Sequence, residues 1–252
     1  MIMQRWSNFQ ARVANRLARH FFASPLRLPG TQAMVSFTFD DIPDSAATVG
    51  APMLADYGGL GTFYVAGSLV NRWSGHWDGI DPDGIVKLRH DGHEIACHTF
   101  SHRRAIDLDA AAMAAEIARN KRYLESLDAS IALENFAYPF GLATLARKRQ
   151  LTGSFRSARG ILPGVNSGTV DLQFLRATPL IDKDIDRAGI DDVFEEAVAT
   201  GGWLIFYTHD IAQSPSPWGC TPGLLRHALD AARRHDMPMV SVAEALRRAT
   251  AS

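Results

Sequence analysis

Cysteine is scarce in this 252-residue chain, with only Cys97 and Cys220. Two thiols make no disulfide framework and no all-cysteine zinc site. An excess of charge of one sign is also lacking: 26 basic side chains stand against 27 acidic ones, for a net charge of −1. That argues against nucleic acid as a general partner, since such binders carry a basic patch or stripe. No run of about 18 apolar residues occurs, so no membrane-spanning helix is expected. No low-complexity tract or sequence repeat divides the chain. What is present is ordinary globular composition, 46% hydrophobic and 21% charged. A single α/β barrel commonly needs about 250 residues.

The first residues read as a basic amphipathic helix. Met3, Trp6, Val13, Leu17 and Phe21 recur at helical spacing, with Phe9 nearby and Arg5, Arg12, Arg16 and Arg19 between them. The arginines interrupt every stretch long enough for the apolar region of a secretory signal, so a cytoplasmic location is expected. The apolar face packs on its own domain or on a second copy in a homo-oligomer. A peripheral membrane contact through residues 1–22 stays open.

From residue 34 the chain alternates between short apolar runs and helical patterns. The runs are 34–39, 61–67, 93–99, 136–140, 155–159, 174–181, 203–209 and 237–242. The spacing predicts helices over 109–127 and 191–200, the latter stopping at Gly201-Gly202, and a third after Thr221-Pro222. Repeated strand–helix units imply a parallel sheet, closed or nearly closed into a distorted (β/α) barrel of about seven strands. The expected organisation is an N-terminal helix and linker over 1–30 and one catalytic domain over 31–252.

In such barrels chemistry sits at the C-terminal strand ends. Run 34–39 ends in Asp40-Asp41, which reads as a site or as a helix cap, since Pro43, Asp44 and Ser45 follow. Run 93–99 leads into His98 and His102, four apart. They share a face if the segment turns helical, and neutral imidazoles so placed suit a divalent metal. His90 and His93 read as surface or supporting groups. Run 203–209 delivers His209 where a buried strand opens to solvent, as a general acid or base would require.

Together these residues resemble the polysaccharide deacetylase family, the NodB homology domain of carbohydrate esterase family 4. Thr38-Phe39-Asp40-Asp41 with Pro43 matches T-F-D-D-x-P, and His98-Thr99-Phe100-Ser101-His102 matches H-[ST]-x-x-H. Phe136-Ala137-Tyr138-Pro139-Phe140-Gly141 is similar to its third motif, and the strand into His209 to its last. The order agrees across residues 34–245. The resemblance implies a metal-dependent hydrolase. It assigns Asp41, His98 and His102 to a divalent ion, usually zinc and sometimes cobalt. It makes Asp40 the general base, His209 the general acid and the Phe140 N–H an oxyanion donor. Tyr138 and Pro139, from the third motif, join Trp218 as substrate-binding residues.

The chain departs from the family pattern at three places. Position 42 is Ile where glycine is usual, which implies a different turn or a different approach of the substrate, because a β-branched residue disfavours positive φ. Ala137 stands where the family has an arginine that braces the catalytic Asp; Arg159 or Arg176 is expected to replace it. No Asp–Trp element matches the one that supports the acid histidine; Asp182 and Asp184 read as candidates to orient His209 or as parts of a solvated loop. Trp218, in the Pro-rich loop after His209, and Trp73 and Trp77 read as sugar-stacking rings or as plugs of the barrel rim.

The expected activity is removal of an N-acetyl group from an amino sugar, glycan or glycolipid precursor. Hydrolysis of a small non-sugar amide, cyclic imide or ureide is the alternative. A non-catalytic glycan-binding protein with a structural metal is the third reading.

Overall fold

The computed structural model describes residues 12–251. Seven strands form one sheet: β2 (Met34–Asp40), β3 (Thr62–Val65), β4 (Glu94–Cys97), β5 (Asn135–Ala137), β6 (Ser157–Arg159), β8 (Thr178–Pro179) and β9 (Trp203–Thr208). Their spatial order is β6-β5-β4-β3-β2-β9-β8, and every pair is parallel. The sheet curls into an incomplete barrel whose edges are β6 and β8. Residues 172–175 cross this seam, where the Ala158 N–H donates to the Leu172 carbonyl at 2.8 Å and Gly160 to Leu175 at 3.0 Å. A separate antiparallel pair joins β1 (Pro25–Arg27) to β7 (Thr169–Asp171).

Strand β2 is buried along all seven residues. Its alternation sends Val35, Phe37 and Phe39 outward into the main apolar core, where Leu225 and Leu229 also pack. Ser36, Thr38 and Asp40 therefore face the barrel interior. There the Trp203 indole donates to Ser36 at 3.0 Å, and the Thr38 hydroxyl to the Phe206 carbonyl at 2.8 Å.

The helices lie between the strands: α2 (Ala51–Ala55), α3 (Pro82–His90), α4 (Ala110–Leu127), α5 (Leu145–Leu151), α6 (Arg187–Thr200), α7 (Pro222–Arg234) and α8 (Val242–Thr250). From α3 onward each begins after an Asp, Thr or Ser whose side chain accepts a first-turn N–H. Helix α6 starts four residues before the expected Asp191 because Asp186 caps it, and it ends at Gly201 with φ 57°. The expected eighth strand, 237–242, makes a single bridge, Met239 to Val35, before Ser241 caps α8. Run 174–181 yields only the two residues of β8.

A helix, α1, is described over residues 12–20. Asn15 and Ala18 face the body, and the Asn15 side chain accepts the Ala143 N–H at 3.1 Å. Buried Lys148 pairs with Asp171 and donates to the carbonyls of Ala18 and of Phe21, the latter at 2.8 Å. The helix is thereby tied to α5 and β7. Val13, Leu17 and Phe21 point to solvent, so the expected apolar face is not the one that packs on the domain. Met3, Trp6 and Phe9 lie outside the described residues. Among those described, no helix is long and apolar enough to cross a membrane.

His93 is a structural residue. It is 3% exposed, its ring meets Phe63 edge-on, and its Nδ1 accepts the Gly61 N–H at 3.0 Å. Burial holds its pKa below the ordinary value, so the folded state keeps it neutral. Its stabilising effect is complete above the unfolded-state pKa of about 6.5 and is lost as pH falls from there towards the folded pKa. We expect the stability of the wild type to fall more steeply than that of His93→Gln below pH ~6.5, by up to ~1.4 kcal/mol per pH unit. Urea denaturation at pH 7.5 and pH 5 reads this difference directly.

Candidate active site

Asp40 is the last residue of β2, and His98 directly follows β4. Both are nearly fully buried. The chain must then turn sharply to present Asp41, Thr99, His102 and Phe140, and all four take positive φ (61°, 60°, 50° and 59°). Ile42 joins them at 42°. Five of the seven non-glycine positive-φ residues described thus lie at these strand ends. Such strain costs about 1–3 kcal/mol per residue and persists only where the surroundings enforce it. Ile42 therefore adopts the left-handed turn that its β-branching disfavours. Its side chain, 1% exposed in the main core, supplies the compensating burial.

His98 and His102 meet, with ring centroids 5.0 Å apart, but not on a helix. A three-residue bend joins them, held by the Glu116 carboxylate of α4, which accepts the N–H of Phe100 at 3.1 Å and of Ser101 at 2.7 Å. His102 Nε2 lies 3.2 Å and His98 Nε2 3.6 Å from Asp41 Oδ1. One ligand atom from each of the three residues falls within 4.8 Å of the others. His98 Nδ1 faces the Ala137 carbonyl at 2.8 Å, which fixes Nε2 as the lone-pair nitrogen turned towards Asp41.

The electrostatics of this triad suit a cation. Burial pushes His98 down to about 3 and His102 down to about 4, so both imidazoles are neutral donors. Burial, reinforced by Asp40, pushes Asp41 up to about 6. Its Oδ1 is buried without a hydrogen-bond donor. Two neutral imidazoles and an orphaned carboxylate oxygen fit a borderline divalent ion such as zinc or cobalt.

Asp40 has a different partner. Arg159, 1% exposed at the end of β6, pairs with its Oδ1. Burial alone would raise the Asp40 carboxyl; the guanidinium reverses this and holds it below its ordinary value. Arg159 also lies 4.6 Å from the Tyr64 ring and 5.5 Å from that of Tyr207. Ala137 is its register partner on β5, so the cation comes from the neighbouring strand on the same rung. Arg176 does not reach Asp40: its guanidinium donates to the Pro163 carbonyl at 2.9 Å.

His209 follows β9, and its Nε2 points to Asp41 Oδ2 at 3.9 Å. Its Nδ1 partner is the main-chain carbonyl of Trp218 at 3.1 Å. Asp182 does not orient the ring, because its carboxylate accepts the Thr221 N–H at 2.9 Å.

Half-buried and exposed aromatic rings flank the triad. Trp77 lies 5.6 Å from His209 and 6.2 Å from Trp218, and Phe140 lies 4.7 Å from His102. Trp73 is well exposed. Tyr138 and Pro139 are buried, against their expected place at the substrate. Tyr138 alternates outward with Phe136, stacks on Phe174 and donates to the Gln173 carbonyl at 3.2 Å.

Sequence reasoning missed Glu116, the Trp218 carbonyl and the two tyrosines beside Arg159. Glu116 carried a signal. It shares a helical face with Met113 and Asn120, both buried, three and four residues away. Glu116→Ala frees the turn that brings the two histidines together. We expect divalent-ion affinity to fall about 10–100-fold with the fold retained, as read by titration calorimetry with zinc and cobalt.

The sequence profile described as polysaccharide deacetylase matches residues 27–153. Among curated proteins no match is found. Solved structures share the fold. A deacetylase solved with substrate is 19% identical with a TM-score of 0.59, over 85% of this chain and 90% of that one. A family 4 acetyl xylan esterase from Clostridium thermocellum, in complex with a cobalt ion, is 21% identical with a TM-score of 0.57, over 84% and 89%. A peptidoglycan deacetylase from Bacillus subtilis is 18% identical with a TM-score of 0.56, over 88% and 93%. With half of its length matched by that profile and the strand-end residues assembled as described, the chain belongs to the polysaccharide deacetylase family, hydrolytic enzymes that act on carbon–nitrogen amide bonds.

Proposed function

We propose that this protein removes an N-acetyl group from an amino sugar within a glycan or glycolipid, using one divalent ion, zinc or cobalt, held by Asp41, His98 and His102. The observation that carries the reading is the division of labour between adjacent carboxylates. Asp40 is kept ionised by Arg159, while Asp41 faces two lone-pair imidazoles. When bound, the ion supplies Lewis acidity to the acyl oxygen and makes water acidic enough to attack near neutral pH.

The chain's own groups do the rest. Asp40 accepts the proton of the attacking water. The Phe140 N–H, turned by its positive φ, donates to the developing oxyanion. His209, on the other side of Asp41, delivers a proton to the departing amine, which leaves poorly as an anion. Trp77, Trp218 and Phe140 offer apolar faces to a sugar ring. Ala137 is the feature that favoured a small non-sugar amide, and Arg159 removes its force by supplying the missing cation. A pure glycan binder has no use for an ionised base and an acid on opposite sides of one cluster.

Acetate release by the zinc- or cobalt-loaded protein over a panel of N-acetylated sugars and oligosaccharides tests the reading. We expect release that stops on chelation and falls by 10²–10⁴-fold in Asp40→Asn, with ion binding retained. No release from protein that binds one ion, with turnover of cyclic imides or ureides instead, would overturn it. Arg159→Met should cost about 3–5 kcal/mol of stability, because it strands a buried carboxylate. Arg159→Lys, which keeps a charge but loses the planar fork, should retain the fold and lose most of kcat. Chemical denaturation and steady-state kinetics separate the two variants.

A further inference from the structure

We infer that the loop 210–220 is a positioning device for His209, with Asp210 as its keystone. It forces the imidazole into the Nδ1–H tautomer through the Trp218 carbonyl. The inference rests on the role proposed for His209 and extends it to residues outside the family motifs.

Asp210 directly follows His209, yet its carboxylate is spent on the loop. It is 5% exposed and accepts the Ser216 N–H at 2.8 Å and the Ser216 hydroxyl at 2.6 Å. Its main-chain carbonyl accepts the Cys220 N–H at 3.0 Å, which closes the loop beside the Ile211–Cys220 bridge. Ser216 Oγ in turn accepts the Trp218 N–H at 3.1 Å. Position 219 must be glycine, because a Cβ there would overlap both the carbonyl and the carboxylate of Asp210. Outside the loop, the Asp182 carboxylate accepts the Thr221 N–H at 2.9 Å, and Ser45 Oγ accepts the Ile211 N–H at 3.0 Å. The peptide carrying the Trp218 carbonyl is thus fixed from both sides, 3.1 Å from Nδ1.

A carbonyl oxygen only accepts. Nδ1 must therefore hold a hydrogen, which leaves Nε2, facing Asp41, as the nitrogen that takes up and gives away the catalytic proton. A loosened loop lets the ring adopt the other tautomer or swing out, and the acid is then misplaced. Trp218 has two separable parts: its carbonyl sets the acid, while its indole, 41% exposed, faces solvent beside Trp77.

A leaving-group comparison distinguishes a positioning role from a merely structural one. An amine needs an acid to depart, whereas 4-nitrophenolate does not. For Asp210→Asn and for the milder Ser216→Ala, deacetylation of an N-acetylated oligosaccharide should fall, by roughly 10²-fold in the first. Hydrolysis of 4-nitrophenyl acetate should stay within about threefold of the wild type. Trp218→Ala keeps the carbonyl; it should raise KM for the oligosaccharide and leave the leaving-group pattern unchanged. Long-range ¹⁵N–¹H spectra of the histidine rings, recorded without metal, should show Nδ1–H at His209 in the wild type and a mixture in Asp210→Asn. Equal losses on both substrates, or an Nε2–H ring in the wild type, would overturn the inference. If the wild type cleaves neither substrate, the proposed activity fails and the ring spectra alone decide the tautomer.

Discussion

Two carboxylates adjacent in sequence, both drawn out of water, set the central constraint. Desolvation disfavours charge on each, and each raises the cost of ionising the other. The structure answers with a separate set of partners for each, a cation for one and two neutral imidazoles for the other. Asp40, the last residue of β2, meets Arg159 inside the barrel. Asp41, one residue further and turned by its positive φ, meets His98 and His102. Without the turn at 41 and 42, strand alternation would send Asp41 to the outer face, away from the histidines. With it the two carboxylates face different partners, as the proposed base and the proposed metal ligand require.

The cost of that arrangement is visible in the backbone. The left-handed residues gather at the ends of β2, β4 and β5, where the chain leaves the sheet for the cleft. Strain of this kind survives on a rigid support. The support is the fully buried β2 in the interior of the sheet, flanked by β3 and β9. Glu116 extends the same logic to the histidine turn, and Ile42 shows that core packing can hold a β-branched residue where glycine would be easier.

Much of this was legible in the sequence because it depends on local patterns. The alternation of apolar runs and helical stretches marked the parallel sheet. The D-D and H-x-x-x-H spacings marked its strand ends. Two kinds of feature were not legible. One is contact across the barrel: Arg159 and Asp40 are 119 positions apart, and only the β5–β6 register shows that Arg159, not Arg176, points inward. The other is work done by the main chain. The Trp218 carbonyl that holds His209 has no side-chain signature, so attention fell on nearby carboxylates such as Asp182. Tyr138 failed for a third reason. Alternation in a three-residue strand puts Ala137 inward and Tyr138 outward, whatever motif they belong to.

The exchange between positions 137 and 159 separates what the chemistry needs from where the chain supplies it. The buried carboxylate of Asp40 needs a cation within hydrogen-bonding distance, and its electrostatics are indifferent to the strand of origin. Neighbouring parallel strands in register offer two inward positions on one rung, and both are within reach of a long side chain. Filling one with arginine requires the other to be small, which Ala137 is. Moving the cation to β6, the edge strand, also changes its surroundings. Arg159 lies against Tyr64 and Tyr207, rings that disperse its charge and fix its plane. The seam beside β6 is closed by the backbone bonds of residues 172–175, so an edge position that would otherwise admit water stays dry. The relocation is thus tolerated because three conditions hold together: a small partner on the rung, aromatic walls for the guanidinium, and a covered edge.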